Sequence, residues 1–223
     1  MQLNHKPGID TILHLLISAY GDRAPVRRLE PVGELVLTIL SQNTSDINSR
    51  RAYKSLTDTF GGWDKVAHAA VESIAEAIRA GGLAEVKSRY ILGALQHLKK
   101  ESGGYDLHFL KNMELEAARA WLMRLPGVGM KTASCVLLFS LDMPAFPVDT
   151  HVLRVARRLG LIALKITADS AHLEMERMVP PGDVYRCHVL MIEHGRKTCR
   201  SRNPLCGGCI IGRRCPSYNK PKA

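Results

Sequence analysis

Apolar residues recur at three- and four-residue intervals along most of the chain, and no stretch alternates like a half-buried strand, so the pattern predicts an all-α protein. Leu35, Val36, Ile39 and Leu40 mark a helix running into Ser41-Gln42-Asn43-Thr44. Ile74, Ala77 and Ile78 mark another ahead of Gly81-Gly82, and Tyr90, Ile91, Ala94, Leu95 and Leu98 a third. Gly61-Gly62, Gly103-Gly104, Pro126-Gly127 and Pro180-Pro181-Gly182 read as stops between helices. Leu115, Ala118, Leu122 and Leu125 share one helical face before Pro126-Gly127-Val128-Gly129. A second apolar helix follows at once with Ala133, Val136, Leu137, Ser140 and Leu141. Two packed helices joined so tightly make a helix-hairpin-helix.

Charge alters this picture first. The 31 Lys and Arg residues exceed the 21 Asp and Glu, a formal charge of +10 that points to a polyanionic partner. The excess recurs at Arg50, Arg51 and Lys54, at Lys99 and Lys100, at Arg154, Arg157 and Arg158, and from Arg196 to Arg214. With 46% hydrophobic residues over 223 positions the chain can bury a full core, which excludes a disordered protein. No apolar run reaches the roughly 18 residues of a membrane span, and the start lacks a signal-peptide core; a cytoplasmic protein without a membrane partner is expected.

Three segments carry candidate chemistry. In the hairpin, Gly127 and Gly129 allow positive φ and leave backbone N–H groups uncovered at the positive end of the second helix, a seat for a DNA phosphate. A lone Pro-Gly-x-Gly is equally an ordinary helix connection. Lys131 stands just inside that helix, where the macrodipole disfavours its charge and favours the neutral amine a nucleophile requires. Its plainer reading is a surface lysine touching phosphate. Asp149, in Pro147-Val148-Asp149-Thr150-His151, opens a helix bearing Val152, Val155 and Leu159 on one face; an N-cap there stays ionised, which also suits a carboxylate that stabilises a developing cation.

The third segment is Cys199-x6-Cys206-x2-Cys209-x5-Cys215. Four thiols so close in sequence read as a metal site rather than as paired disulfides. Only Cys206 and Cys209 form the short pair common in structural zinc sites, so spacing alone leaves zinc and iron–sulfur open. Cys135 and Cys187 lie in apolar surroundings and read as packing residues.

Taken in order, Leu125-Pro-Gly-Val-Gly-Met-Lys131, Val148-Asp-Thr-His-Val152, His194-Gly-Arg196 and the four cysteines make the chain resemble the endonuclease III family, the iron–sulfur branch of the helix-hairpin-helix DNA glycosylases. The resemblance covers nearly the whole chain. It implies a two-lobed all-α monomer: residues 24–143 as a six-helix barrel with the hairpin, residues 1–23 with 144–223 as the cluster lobe, and damaged duplex DNA across the cleft. It implies a [4Fe-4S] cluster on Cys199, Cys206, Cys209 and Cys215, with Arg200 and Arg202 facing phosphate. Lys131 would attack C1′ of an extruded nucleotide and form a Schiff base, and Asp149 would stabilise charge on the sugar and help activate the amine. Asn43, with Gln42 beside it, matches the residue that fills the void left by the flipped base, where relatives usually carry Gln. Leu83 matches the apolar wedge, and Met130 replaces an Arg common in relatives.

The function so implied is a bifunctional glycosylase and abasic-site lyase acting on oxidised pyrimidines. Two rivals stand beside it. A monofunctional mismatch glycosylase generally lacks the hairpin lysine, and the adenine-specific group carries a catalytic glutamate where this chain has Leu37 and Thr38. A non-catalytic iron–sulfur DNA-binding protein would have no use for both Lys131 and Asp149.

Overall fold

The computed structural model describes residues 8–26 and 29–218, and among them every regular element is a helix. In chain order these are α1 (Ile9–Tyr20), α2 (Pro31–Ser41), α3 (Asp46–Phe60), α4 (Trp63–Ala67), α5 (Val71–Ala77), α6 (Ala84–Ser102), α7 (Leu115–Leu122), α8 (Met130–Leu141), α9 (Thr150–Arg158), α10 (Ala168–Met178) and α11 (Val184–Lys197). The chain divides into two compact units, Arg27–Met143 and Met1–Val26 together with Pro144–Ala223. Among the described residues no helix is long and apolar enough to cross a membrane.

In the first unit α2 and α8 form the central pair. Val32, Leu35, Val36, Ile39 and Leu40 of α2 are buried, as are Ala133, Val136 and Leu137 of α8. Both helices are apolar on nearly every face because both have neighbours on nearly every side. Local chemistry sets the ends. Pro31 occupies the first turn of α2, where its missing N–H breaks no helical bond. The Ser45 hydroxyl accepts the Asn48 N–H to start α3, and Gly61 and Gly103 close α3 and α6 in the left-handed conformation. The apolar face read through Leu125 overruns α7, which ends at Leu122. Leu125 keeps the pattern because it is buried in the turn that follows.

In the second unit α9 packs against α11, and α1 also lies on α11 through a face that buries Ile12, Leu13 and Leu16. Gly195 permits the first of these contacts. A Cβ there would stand 3.0 Å from His151 Cβ and 3.1 Å from the Arg154 guanidinium. The far end of α1 is tied down by Tyr20, whose hydroxyl lies 2.9 Å from His194 Nδ1 and 2.8 Å from Thr198 Oγ1.

Candidate active site and cysteine centre

The hairpin is built on a β-turn from Leu125 to Val128. The Val128 N–H donates to the Leu125 carbonyl at 3.1 Å, and Gly127 has φ 75°. Proline at the second position and a left-handed third residue define a type II turn. Glycine is required at 127 twice over, since an added Cβ would also lie 2.4 Å from Tyr90 Cγ. Gly129 differs from expectation: it caps α8 in extended backbone at φ −100°, and a Cβ there would meet nothing within 4 Å. Only one of the two glycines therefore uses its conformational freedom. The other leaves the N-terminus of α8 open, with the N–H groups of its first turn unclaimed by the helix.

Lys131 is the second residue of α8 and is half-buried; its amine makes no hydrogen bond or ion pair among the described residues. Its neighbours are fixed instead. Gln42, at the end of α2, donates its Nε2 to the Gly127 carbonyl at 2.9 Å and to Thr132 Oγ1 at 3.3 Å, tying that helix end to both sides of Lys131. Its amide nitrogen is thereby committed to the protein. Asn43 is exposed, with φ 53°. Leu83 is 57% exposed, with φ 51°. Both side chains that the resemblance aims at the DNA stack thus sit on left-handed turns, which non-glycine residues adopt uncommonly.

Asp149 caps α9. Its Oδ1 accepts the Val152 N–H at 2.7 Å, while Oδ2 has no hydrogen-bond partner among the described residues. The segment leading to it is held on two sides: the Phe146 N–H donates to Glu176 Oε1 at 2.8 Å, and His188 Nδ1 lies 2.8 Å from the Pro147 carbonyl. The carboxylate therefore combines a fixed oxygen with an available one.

The three arginines of α9, counted above among the charges facing a polyanion, are engaged within the protein. Arg154 donates to the carbonyls of Cys199 at 3.0 Å and Gly195 at 2.8 Å. Arg157 donates to the Ile166 carbonyl at 2.7 Å, and Arg158 to the carbonyls of Arg200 at 2.7 Å and Ser201 at 3.1 Å. Counting charges could not reveal this, because the acceptors for Arg154 and Arg158 are backbone atoms more than forty positions away.

Those bonds fasten the cysteine segment. Cys199, Cys206, Cys209 and Cys215 all line one cavity of about 220 Å³, shared with Arg158, His194 and Tyr218. All four are free thiols, and among the described residues no group of three or more His, Cys, Asp or Glu is gathered closely enough to hold a metal ion. The cysteines surround a volume. Donors reach the sulfurs: Arg158 Nη1 lies 3.3 Å from Cys199 Sγ, and backbone N–H groups of Ile211 and Gly212 bond Cys209 while that of Ser217 bonds Cys215. Burial pushes the Cys209 and Cys215 thiols up, reinforced by the charge of the other cysteines. His194, driven down to about 4 by burial, is neutral at physiological pH and stands 3.9 Å from Cys209 Sγ. Four thiols on one cavity, with a guanidinium and amide donors beside them, are a donor set that could hold a thiolate-bound group. Arg200 and Arg202 are exposed on the adjoining loop, and Cys135 and Cys187 are buried in apolar packing, as expected.

A family model described as HhH-GPD superfamily base excision DNA repair protein matches residues 36–181, and the chain belongs to that superfamily. Its relatives narrow the branch. The chain is 34% identical over 186 residues to an endonuclease III of Sulfolobus acidocaldarius, covering 82% of this chain and 81% of that protein. It is 30% identical over 194 residues to an endonuclease III of Thermotoga maritima, covering 87% and 86%. A relative from Arabidopsis thaliana that carries a DNA glycosylase name is 38% identical over 189 residues; the match spans 85% of this chain but 60% of that protein's length. Among solved structures, a non-covalent endonuclease III–DNA complex superposes with a TM-score of 0.82 at 26% identity over 96% of each chain. A trapped endonuclease III–DNA covalent intermediate gives 0.81 at 26% identity over 95% of this chain and 97% of that one.

Proposed function

We propose that the protein is a bifunctional base-excision enzyme, a DNA glycosylase with abasic-site lyase activity, that removes oxidised pyrimidines from duplex DNA through a Schiff base on Lys131. The observation that carries this reading is Lys131 itself. An unpaired amine at the N-terminus of α8, beside a turn pinned by Gln42 and Tyr90, is placed to approach a backbone held on the hairpin amides. A monofunctional glycosylase needs no such amine.

The chemistry then follows from the residues. The target nucleotide leaves the stack because C1′ is shielded inside a duplex. Lys131 Nζ forms a bond to C1′ as the bond to the base breaks, and the base departs with the electron pair and gains a proton. The sugar ring opens to give the protonated Schiff base. Loss of a C2′ proton then expels the 3′ phosphate, and water releases the lysine. Asp149, its Oδ1 held by the cap, stabilises the positive charge that develops on the sugar and helps activate the amine. Asn43 fills the vacated position and Leu83 wedges the stack.

The same reading assigns a [4Fe-4S] cluster to Cys199, Cys206, Cys209 and Cys215. Bound there, it supplies a structural cross-link for the loop carrying Arg200 and Arg202, which contact phosphate. Four iron and four sulfide per chain after anaerobic purification is the expected analysis; stoichiometric zinc contradicts it. The activity itself is tested on duplexes bearing thymine glycol, uracil, a G·T mismatch, an A·8-oxoguanine pair or an abasic site. Base release and strand cleavage at thymine glycol, with cleavage at the abasic site, are expected. Release of uracil or mismatched thymine without any cleavage would favour the monofunctional rival.

A further inference from the structure

Lys87, in the first turn of α6, is 1% exposed and has no acidic partner among the described residues. Its Nζ donates to three oxygens: the Leu40 carbonyl at 2.7 Å, Thr44 Oγ1 at 2.7 Å and the Gly81 carbonyl at 2.9 Å. An ammonium has three N–H donors and each finds one acceptor. Leu40, in the last turn of α2, and Thr44 flank Asn43, and Gly81 belongs to the turn that presents Leu83. Thr44 completes the join, because its hydroxyl turns toward the Gly81 carbonyl. One buried side chain thus staples two turns that come from distant parts of the sequence.

The arrangement is costly for stability alone. Burial pulls the Lys87 pKa below its ordinary value, as expected of a cation removed from water without a counter-charge. Each joined turn also holds a non-glycine residue at positive φ, Asn43 at 53° and Leu83 at 51°. Strained backbone persists only where its surroundings over-determine it. The exposed outcome of all this internal bonding is a pair of side chains: Asn43, and Leu83 on the neighbouring turn.

We infer that Lys87 is a positioning residue for base extrusion: by bonding Leu40, Thr44 and Gly81 together it fixes the separation of Asn43 and Leu83, so that the two side chains enter the DNA stack as one rigid unit. The inference rests on the glycosylase reading. Lys87 touches neither the nucleotide nor Lys131 in this role. It acts only through the two turns.

The test separates extrusion from chemistry. Base release is measured under single-turnover conditions on thymine glycol paired within a duplex and on thymine glycol at an unpaired bulge, where little stacking resists removal. Lys87→Met should lower release from the paired duplex by about tenfold relative to the bulge, on the scale of hydrogen bonds to a charged group. Should Lys87→Met fail to fold by circular dichroism, Thr44→Val removes one acceptor and the cross-turn hydroxyl, and should lower the same ratio by about threefold. An equal loss on both substrates, or an unchanged ratio in a folded variant, would overturn the inference while wild-type activity stood. Wild-type protein that releases thymine glycol from neither duplex would overturn the glycosylase reading itself.

Discussion

The two hairpin glycines separate at the scale of single residues. Gly127 is held at positive φ against the Tyr90 ring, whereas Gly129 has ordinary extended backbone and open space around its α-carbon. Gly127→Ala should therefore destabilise the fold by about 2 kcal/mol or more, through left-handed strain and displacement of Tyr90. Gly129→Ala should stay within about 1 kcal/mol of wild type, its loss of an acceptable cap offset by reduced freedom of the unfolded chain. Urea denaturation of the two variants gives the comparison directly. Both residues looked alike in the sequence, because Pro-Gly-x-Gly announces a tight turn without saying which glycine carries the positive φ. Lys87 was less legible still. Its partners lie in two turns, one more than forty positions away, and nothing local distinguishes it from a solvated helical lysine.

At the scale of elements, the helical periodicity was sufficient for the all-α architecture, since long amphipathic or wholly apolar segments such as α2, α6 and α8 leave little ambiguity. The hairpin and the cap at Asp149 were legible for the same reason: each is written in consecutive residues. The use of α9 was not. Its sequence shows a basic helix, but Arg154 and Arg158 act as clamps that bind the backbone on both sides of Cys199. Arg154→Met should leave helix content intact while freeing the Cys199 carbonyl, so that protein purified without oxygen holds less iron and loses it faster to a chelator than wild type. Iron retention equal to wild type would show that the cysteine segment needs no support from α9. Glycine at 195 belongs to the same device, since it is what lets α9 and α11 approach.

For the whole molecule, not every cation behind the positive excess has its side chain free for direct contact. Arginines 154, 157 and 158 are spent on carbonyls, and Arg23 pairs with Glu193 at 2.9 Å. Arg200 and Arg202 are exposed on the cysteine loop, Arg200 with its Nε donating to the Lys197 carbonyl at 3.2 Å. DNA binding should weaken with salt, and replacing either Arg200 or Arg202 by alanine should reduce the slope of log affinity against log salt by about 1, similarly on damaged and undamaged duplex. Binding titrations at several salt concentrations check this. Unchanged slopes would remove the cysteine loop from the DNA interface.

The step that distinguishes this enzyme from a monofunctional glycosylase is the covalent bond proposed between the hairpin amine and the sugar. Incubation with thymine glycol duplex in the presence of borohydride, followed by proteolysis and mass spectrometry, reads that bond directly. A trapped protein–DNA species with the nucleotide remnant on Lys131 is expected, and none with Lys131→Gln. An adduct on another residue, or trapping that persists undiminished in Lys131→Gln, would contradict it.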